Sequence, residues 1–305
     1  MKVVIGYDGS ASAREAMEDL RFAGLPRSLE ARVVSVADVW LPPAADPVAI
    51  PIPPPVARAR DLARQAVEQA RQLAEEGCGL LRNHFPEWQC EAEARADSPA
   101  WGVIKLALEW KADLIVVGSH GKSLIGRLLL GSASQKVVTE APCSVRIGRL
   151  RPEPTRPTLR LLLAFDGSPD ASLALDTIVQ RTWPPGTEVH VVAVLEPRNL
   201  TDLAAEESPL RQWVQPDDTE ARQAFQRMLE NADQRLRQVG LVVSSALLEG
   251  DPKRCLIEEE QRIQADCVFV GARGLNFLER FLLGSVSAAV AARARCSVEI
   301  VRPHH

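Results

Sequence analysis

The sequence predicts two tandem α/β domains, each a doubly wound sheet of five parallel strands, and three observations carry that expectation. The chain is an internal duplication: VIGYDGSASAREAM at 4–17 matches LLAFDGSPDASLAL at 162–175, an offset of 158. ADLIVVGSHGKSLIGRLLLGSASQKVV at 112–138 matches ADCVFVGARGLNFLERFLLGSVSAAVA at 265–291, and PCSVRIG at 142–148 matches RCSVEIV at 295–301, both at an offset of 153. Within each copy, short apolar runs alternate with stretches of helical spacing, and several runs are apolar throughout, as strands covered on both faces must be. The length of 305 residues suits two domains of about 150.

The elements follow in order. KVVIGY is the first strand, and Ala11–Ala23 carries helical spacing behind a Ser10 or Ser12 cap. ARVVSVADV is the second strand, followed by a proline-rich excursion over 42–55 and a long helix over Val56–Cys78. QCEAEARA is the third strand, Pro99–Trp110 a helix, DLIVVG the fourth strand, Ser132–Glu140 part of a helix and SVRIG the fifth strand. The second copy repeats the plan as LRLLLAF, TEVHVVAVL, LVVSSALLE, DCVFVG and SVEIV. RLRPEPTRPTLR at 149–160, with three prolines and four arginines, reads as an extended connection. The expected division is a first domain over 1–148, a linker over 149–158 and a second domain over 159–303.

Composition narrows the function. No apolar run approaches the roughly 20 residues that cross a bilayer, so no membrane partner is expected. MKVVIGYDGS opens directly on a strand and a turn, without the pattern of a signal peptide. Net charge is −4 and the basic residues are scattered, which argues against a nucleic-acid partner. The six cysteines (78, 90, 143, 255, 267, 296) show neither CxxC nor metal-ligand spacing, and read as reduced, mostly buried small hydrophobes in a cytoplasmic protein.

Ligands of open parallel sheets bind beyond the carboxyl ends of the strands, at the switch in strand order. Two loops of each copy lie there: the turn after strand 1 (Asp8 in YDGS, Asp166 in FDGS) and the glycine loop after strand 4, opening at Gly118 and Gly271. Gly121-Lys122-Ser123 invites a Walker reading, but that motif needs a glycine at 116, where Val116 stands inside the strand. The second copy has Leu275 and Asn276 in place of Lys122 and Ser123, so the motif fails on spacing and on the repeat. Both copies instead share G-x2-G-x9-G-S, through Gly118, Gly121, Gly131 and Ser132 and through Gly271, Gly274, Gly284 and Ser285. Glycines admit positive φ and close approach of a ligand to the backbone. The Gly-Ser pair opens a helix, whose N-terminal amides and dipole favour a phosphate. Ser132 or Ser134 would add hydroxyl donors, and Asp8 across the crevice could accept from ribose hydroxyls.

On these motifs, over nearly the whole chain, the sequence resembles the universal stress protein family in its ATP-binding branch. The resemblance implies an adenine nucleotide alpha hydrolase-like fold with strand order 3-2-1-4-5, which sets strands 1 and 4 side by side. It implies ATP as the ligand, often with a divalent ion such as Mg2+. Asp8 and Asp166 would contact adenosine, with Val36 and Val194 lining the adenine pocket. The loop glycines with Ser132-Ala133-Ser134 and Ser285-Val286-Ser287 would hold phosphates. It also implies pairing through strand 5, which the two halves could supply internally as a pseudo-twofold pair; a second copy of the chain is a further candidate partner. A small-residue-Pro turn after strand 3 matches as ADSP and GDP, each proline standing 19 residues before the first loop glycine. The second copy departs in replacing Ser119-His120 with Ala272-Arg273 and in losing the lysine.

Lys122, His120 and Arg273 are candidate phosphate partners, and each is also an ordinary turn or solvent-facing residue; Arg127 and Arg280 read as helix-surface charge. The segments 42–55 and 197–218 read as lids over the site or as passive loops. No triad, metal cluster or activated nucleophile is visible, so slow ATP hydrolysis is the most expected of a regulatory, stress-response nucleotide binder. Two other readings stand beside it: an adenine nucleotide alpha-hydrolase-type enzyme, whose SGGxDS-like loop is replaced here by YDGSAS and FDGSPD, and a nucleotide-free module for interaction or dimerisation.

Overall fold

The computed structural model describes residues 1–39, 54–121, 130–149, 158–196, 218–274 and 283–303. The connection at 150–157, most of the proline-rich excursion and most of 197–218 lie outside them.

Strands and helices alternate as the periodicity demands. The first half runs β1 (Lys2–Gly6), α1 (Ala11–Asp19) with a 3-10 turn at Leu20–Phe22, β2 (Glu30–Ala37), α2 (Pro54–His84), β3 (Gln89–Ala96), α3 (Pro99–Trp110), β4 (Leu114–Gly118), α4 (Ser132–Glu140) and β5 (Ser144–Gly148). The second half runs β6 (Arg160–Ala164), α5 (Pro169–Gln180), β7 (Glu188–Leu195), α6 (Asp218–Gln238), β8 (Val242–Glu249), α7 (Pro252–Ile263), β9 (Cys267–Gly271), α8 (Ser285–Arg293) and β10 (Ser297–Val301). Local chemistry sets several ends. Ser10 caps α1 by accepting from Ala13 N at 3.2 Å, and Ser168 caps α5 by accepting from Ala171 N at 3.2 Å. Prolines open α3 and α7, and each closes on a residue in the left-handed region, Lys111 and Gln264.

The ten strands form a single sheet in the order β3-β2-β1-β4-β5-β10-β9-β6-β7-β8. Each half therefore has the order 3-2-1-4-5, and every pairing within a half is parallel. The halves meet where β5 and β10 pair antiparallel, with Arg146 opposite Glu299. On one face, Val145 and Ile147 with α3 and α4 merge with Val298 and Ile300 with α7 and α8 into one apolar core spanning both halves. On the other face the core is divided into a patch under α1 and α2 and a patch under α5 and α6.

A buried ionic cluster fills the division. Arg146, 1% exposed, donates to Asp19 of α1 at 2.7 Å and to Glu299 at 3.0 Å. Arg181, at the end of α5, donates to both oxygens of Glu299, at 2.8 Å to Oε2, and to Ala23 O at 2.8 Å. Burial pushes the Glu299 carboxyl up, but the fields of Arg181 and Arg146 outweigh it and leave it below the usual glutamate range.

One expectation needs correction. The sequence presents Cys78 and Cys90 as reduced thiols, but the structure joins them in a disulfide. The last turns of α2 lie against β3, which brings the two Cα atoms to 5.8 Å, within bridging range. Helix α2 extends beyond the expected Val56–Cys78 at both ends. Cys143, Cys255, Cys267 and Cys296 are free, and burial pushes the Cys143 and Cys267 thiols up to about 12.

Glu299→Gln leaves Arg146 and Arg181 without their shared carboxylate, and urea unfolding should show a loss of about 3–5 kcal/mol. The native carboxyl titrates below its ordinary value of 4.5, so its contribution is complete above that pH and is lost as pH falls through the native pKa. Wild-type stability should therefore fall with acid below pH 4.5 more steeply than that of Glu299→Gln. Thiol titration of the unfolded, unreduced chain should find four thiols, rising to six after reduction.

Candidate functional site

In each half the central strands are neighbours, β1 with β4 and β6 with β9, so the loops beyond their carboxyl ends rise side by side. The turn after β1 is built on Asp8, whose Oδ1 accepts from Ser10 N at 2.9 Å while Gly9 takes φ 78°. The second half repeats it: Asp166 Oδ1 accepts from Ser168 N at 2.9 Å, with Gly167 at φ 79°. One carboxylate oxygen thus holds the turn, and the other faces the glycine loop. A Cβ placed on Gly121 would lie 3.2 Å from Asp8 Oδ2, and one on Gly274 would lie 2.8 Å from Asp166 Oδ2.

None of the six loop glycines adopts positive φ; close approach sets Gly118 and Gly271 instead. A Cβ on Gly118 would meet Ser12 at 2.7–2.8 Å, and one on Gly271 would meet the Asp170–Ala171 backbone at 2.6 Å, so these glycines let the helix after strand 1 seat on the loop. Gly131 N donates to Ser119 O at 2.8 Å, and Gly284 N to Ala272 O at 2.8 Å, returning each loop to its starting point. Gly131 and Gly284 stand at the N-caps of α4 and α8, where no side chain caps the helix. The first-turn amides have no intrahelical acceptor by helix geometry. Ser132, Ala133 and Ser285 are exposed there, and Val286 is half-buried.

Two expected phosphate contacts have other work. Ser134 Oγ is buried and donates to Gly118 O at 2.7 Å; Ser287 Oγ donates to Gly271 O at 2.6 Å. Their protons are spent fixing the helix to the end of the strand. Arg273 likewise does not face an empty cradle: its Nε and Nη2 grip the two oxygens of Asp170 at 2.8 and 3.0 Å, and Asp170 Oδ2 also accepts from Arg273 N at 3.1 Å. The first half builds the same latch from other residues. Ser12 Oγ accepts from His120 N at 3.1 Å and lies 3.2 Å from Ser119 Oγ, which is 2.9 Å from His120 Nδ1. Ser12 and Asp170 hold the same place in the repeat, as do His120 and Arg273. The paired exchange between copies is the sequence signal for this contact.

Val36 packs on α3 so closely that a Cβ on Gly102 would lie 2.6 Å from its Cγ2. Val194 packs on the corresponding face of the second half. Both lie on the face that carries α4 and α8. Lys122, with Arg127 and Arg280, lies outside the described residues. Among the described residues no three His, Cys, Asp or Glu side chains are grouped to hold a metal, and no helix is long and apolar enough to cross a membrane.

Comparison with known proteins agrees with this architecture. The sequence model of the Universal stress protein family matches residues 1–149 and again 158–302. Universal stress protein Rv2005c of Mycobacterium tuberculosis is 28% identical over 309 aligned residues, covering 98% of this chain and 96% of its own. A universal stress protein of Thermus aquaticus is 53% identical over 51 residues, 17% of this chain and 37% of that protein. The crystal structure of a universal stress protein from Archaeoglobus fulgidus superposes with a TM-score of 0.63 at 20% identity, covering 99% of this chain and 98% of that one. With two family matches spanning almost its entire length, the chain belongs to the universal stress protein family as a tandem member.

Proposed function

We propose that the chain is a nucleotide-dependent regulatory protein that binds one adenine nucleotide in each half, with ATP as the ligand. The observation that carries the reading is the repeated juxtaposition of a carboxylate oxygen, a loop glycine whose side chain would crowd that oxygen and a helix start without a side-chain cap. Asp8 with Gly121 and α4, and Asp166 with Gly274 and α8, form that arrangement at the position where sheets of this type take ligands. The cradle suits a phosphate chain: bare backbone approaches from the loop, and the amides of Ser132, Ala133 and Ser134 point from the positive end of α4. Ser285, Val286 and Ser287 offer the same on α8. The free oxygen of Asp8 or Asp166 accepts from ribose hydroxyls, and Val36 or Val194 supplies the apolar wall beside the base. A divalent ion accompanying the nucleotide would be held chiefly through its phosphates.

The chain's own residues bind and orient; hydrolysis, where it occurs, is slow. The latches Ser12–His120 and Asp170–Arg273 hold each glycine loop on the helix after strand 1. They set the width of the cradle, and no basic side chain of the second latch is left to stabilise a departing phosphate. The two halves act as an internal pseudo-twofold pair, a reading supported by the antiparallel pairing of β5 with β10. Nucleotide occupancy would change the surface presented to a partner protein by favouring one arrangement of the loops.

Equilibrium binding of ATP tests this reading. The wild-type chain should take up two equivalents. Gly121→Val and Gly274→Val should each lose one site by at least about tenfold in affinity, since the added side chain displaces Asp8 or Asp166. The double variant should bind none. Unchanged binding in all three variants would refute the assignment, and a competition series with ADP, AMP and cyclic AMP would fix the preferred nucleotide.

A further inference from the structure

The seam is crossed by a second pair of equivalent residues. Arg149 follows β5 and Arg302 follows β10, 153 positions apart as the repeat requires. Among the described residues neither guanidinium donates to its own half. Arg149 Nη2 donates to Ala291 O, in the last turn of α8, at 2.6 Å, and its Nη1 donates to Cys296 O at 3.0 Å. Arg302 donates through Nη2 to Val138 O and, at 3.4 Å, to Thr139 O, in the last turn of α4. The backbones cross as well: Arg149 N donates to Ser297 Oγ at 3.0 Å and Arg302 N to Ser144 Oγ at 3.2 Å.

These contacts fall on the two helices whose other ends form the proposed cradles. Each helix has nine residues and is about 13 Å long, a short rod whose direction is fixed by its two ends. A cation at the C-terminal carbonyls and an anion at the N-terminal amides both satisfy the helix dipole. Burial pulls both guanidiniums down, Arg302 to about 10, and neither makes a carboxylate hydrogen bond among the described residues. The helix ends are their partners. Arg302 also lies within the fields of Asp170 and Arg273, the latch of its own half's loop, and the preceding Val301 O accepts from Ala272 N of that loop at 2.9 Å.

We propose that Arg149 and Arg302 are reciprocal positioning residues, each holding the phosphate-facing helix of the opposite half, so that the two sites are assembled in trans and coupled across the seam. The inference rests on the nucleotide reading above. Arg302 orients α4 and thereby the first site; Arg149 orients α8 and thereby the second. A change at the loop of the second half reaches α4 through Val301 and Arg302.

The test uses the full chain. ATP affinity is measured for Arg302→Met placed on Gly274→Val, which reports the first site, and on Gly121→Val, which reports the second. The first site should weaken about fivefold or more while the second changes less than about twofold. Arg302→Lys, which keeps the charge, should recover part of the loss, and Arg149→Met should give the mirror result. Equal loss at both sites, or no loss at either, would overturn the proposal. Hydrogen exchange without nucleotide separates the two layers: Arg302→Met should speed exchange at 132–136 and leave 285–289 unchanged. If the wild-type chain takes up no ATP, the nucleotide reading and the coupling fall together, and unchanged exchange at 132–136 would show that the clamp itself is absent.

Discussion

The whole arrangement depends on the meeting of Arg146 and Glu299 across β5 and β10. They occupy the same place in the two copies, stand opposite one another in the antiparallel register, and are buried. A buried charge is tolerated only with its partner in place, and here each has more than one: Arg146 reaches Asp19 and Glu299, and Glu299 receives Arg146 and Arg181. Two identical halves meeting in this way would oppose two arginines or two glutamates in a buried site. The duplicated chain is asymmetric at a position where symmetry would bury two like charges. Closing the seam joins two five-stranded sheets into one of ten and makes a single core of the face bearing α3, α4, α7 and α8.

Much of this could be read from the amino acids. Strand 5 of both copies, SVRIG and SVEIV, and helices Pro99–Trp110 and Ser132–Glu140 fall where periodicity and caps place them. Pro99 and Gly131 mark the starts of the two helices. The strand order came from the family resemblance, because periodicity does not say which strands are neighbours. Helix α2 was underestimated, since its start is proline-rich and its end carries Gly77 and Gly79, both of which lower helical propensity.

What escaped was long-range contact. Cys78 and Cys90 belong to no motif, and only the return of α2 along β3 brings them together. Arg146 and Glu299 are each a lone charge inside an apolar strand, opposite in sign between copies, and that opposition is the sequence's hint of their contact. At the candidate site, Asp8, Asp166 and the glycines lie on the loops the motif names, but none of these glycines adopts positive φ, and Gly118 and Gly271 serve close packing. Ser134, Ser287 and Arg273 proved to be braces. Spacing shows that a polar residue is near a site; whether its hydrogen bonds are already committed depends on the folded partner, 16 residues away for Ser134 and Ser287 and 103 for Arg273.

The central claim is that one chain carries two adenine-nucleotide sites of the same construction. Native mass spectrometry of the intact chain equilibrated with ATP measures this most directly. The account predicts species carrying one and then two nucleotides, with the second saturating at excess ligand. A chain that stays at its unliganded mass under those conditions would contradict it.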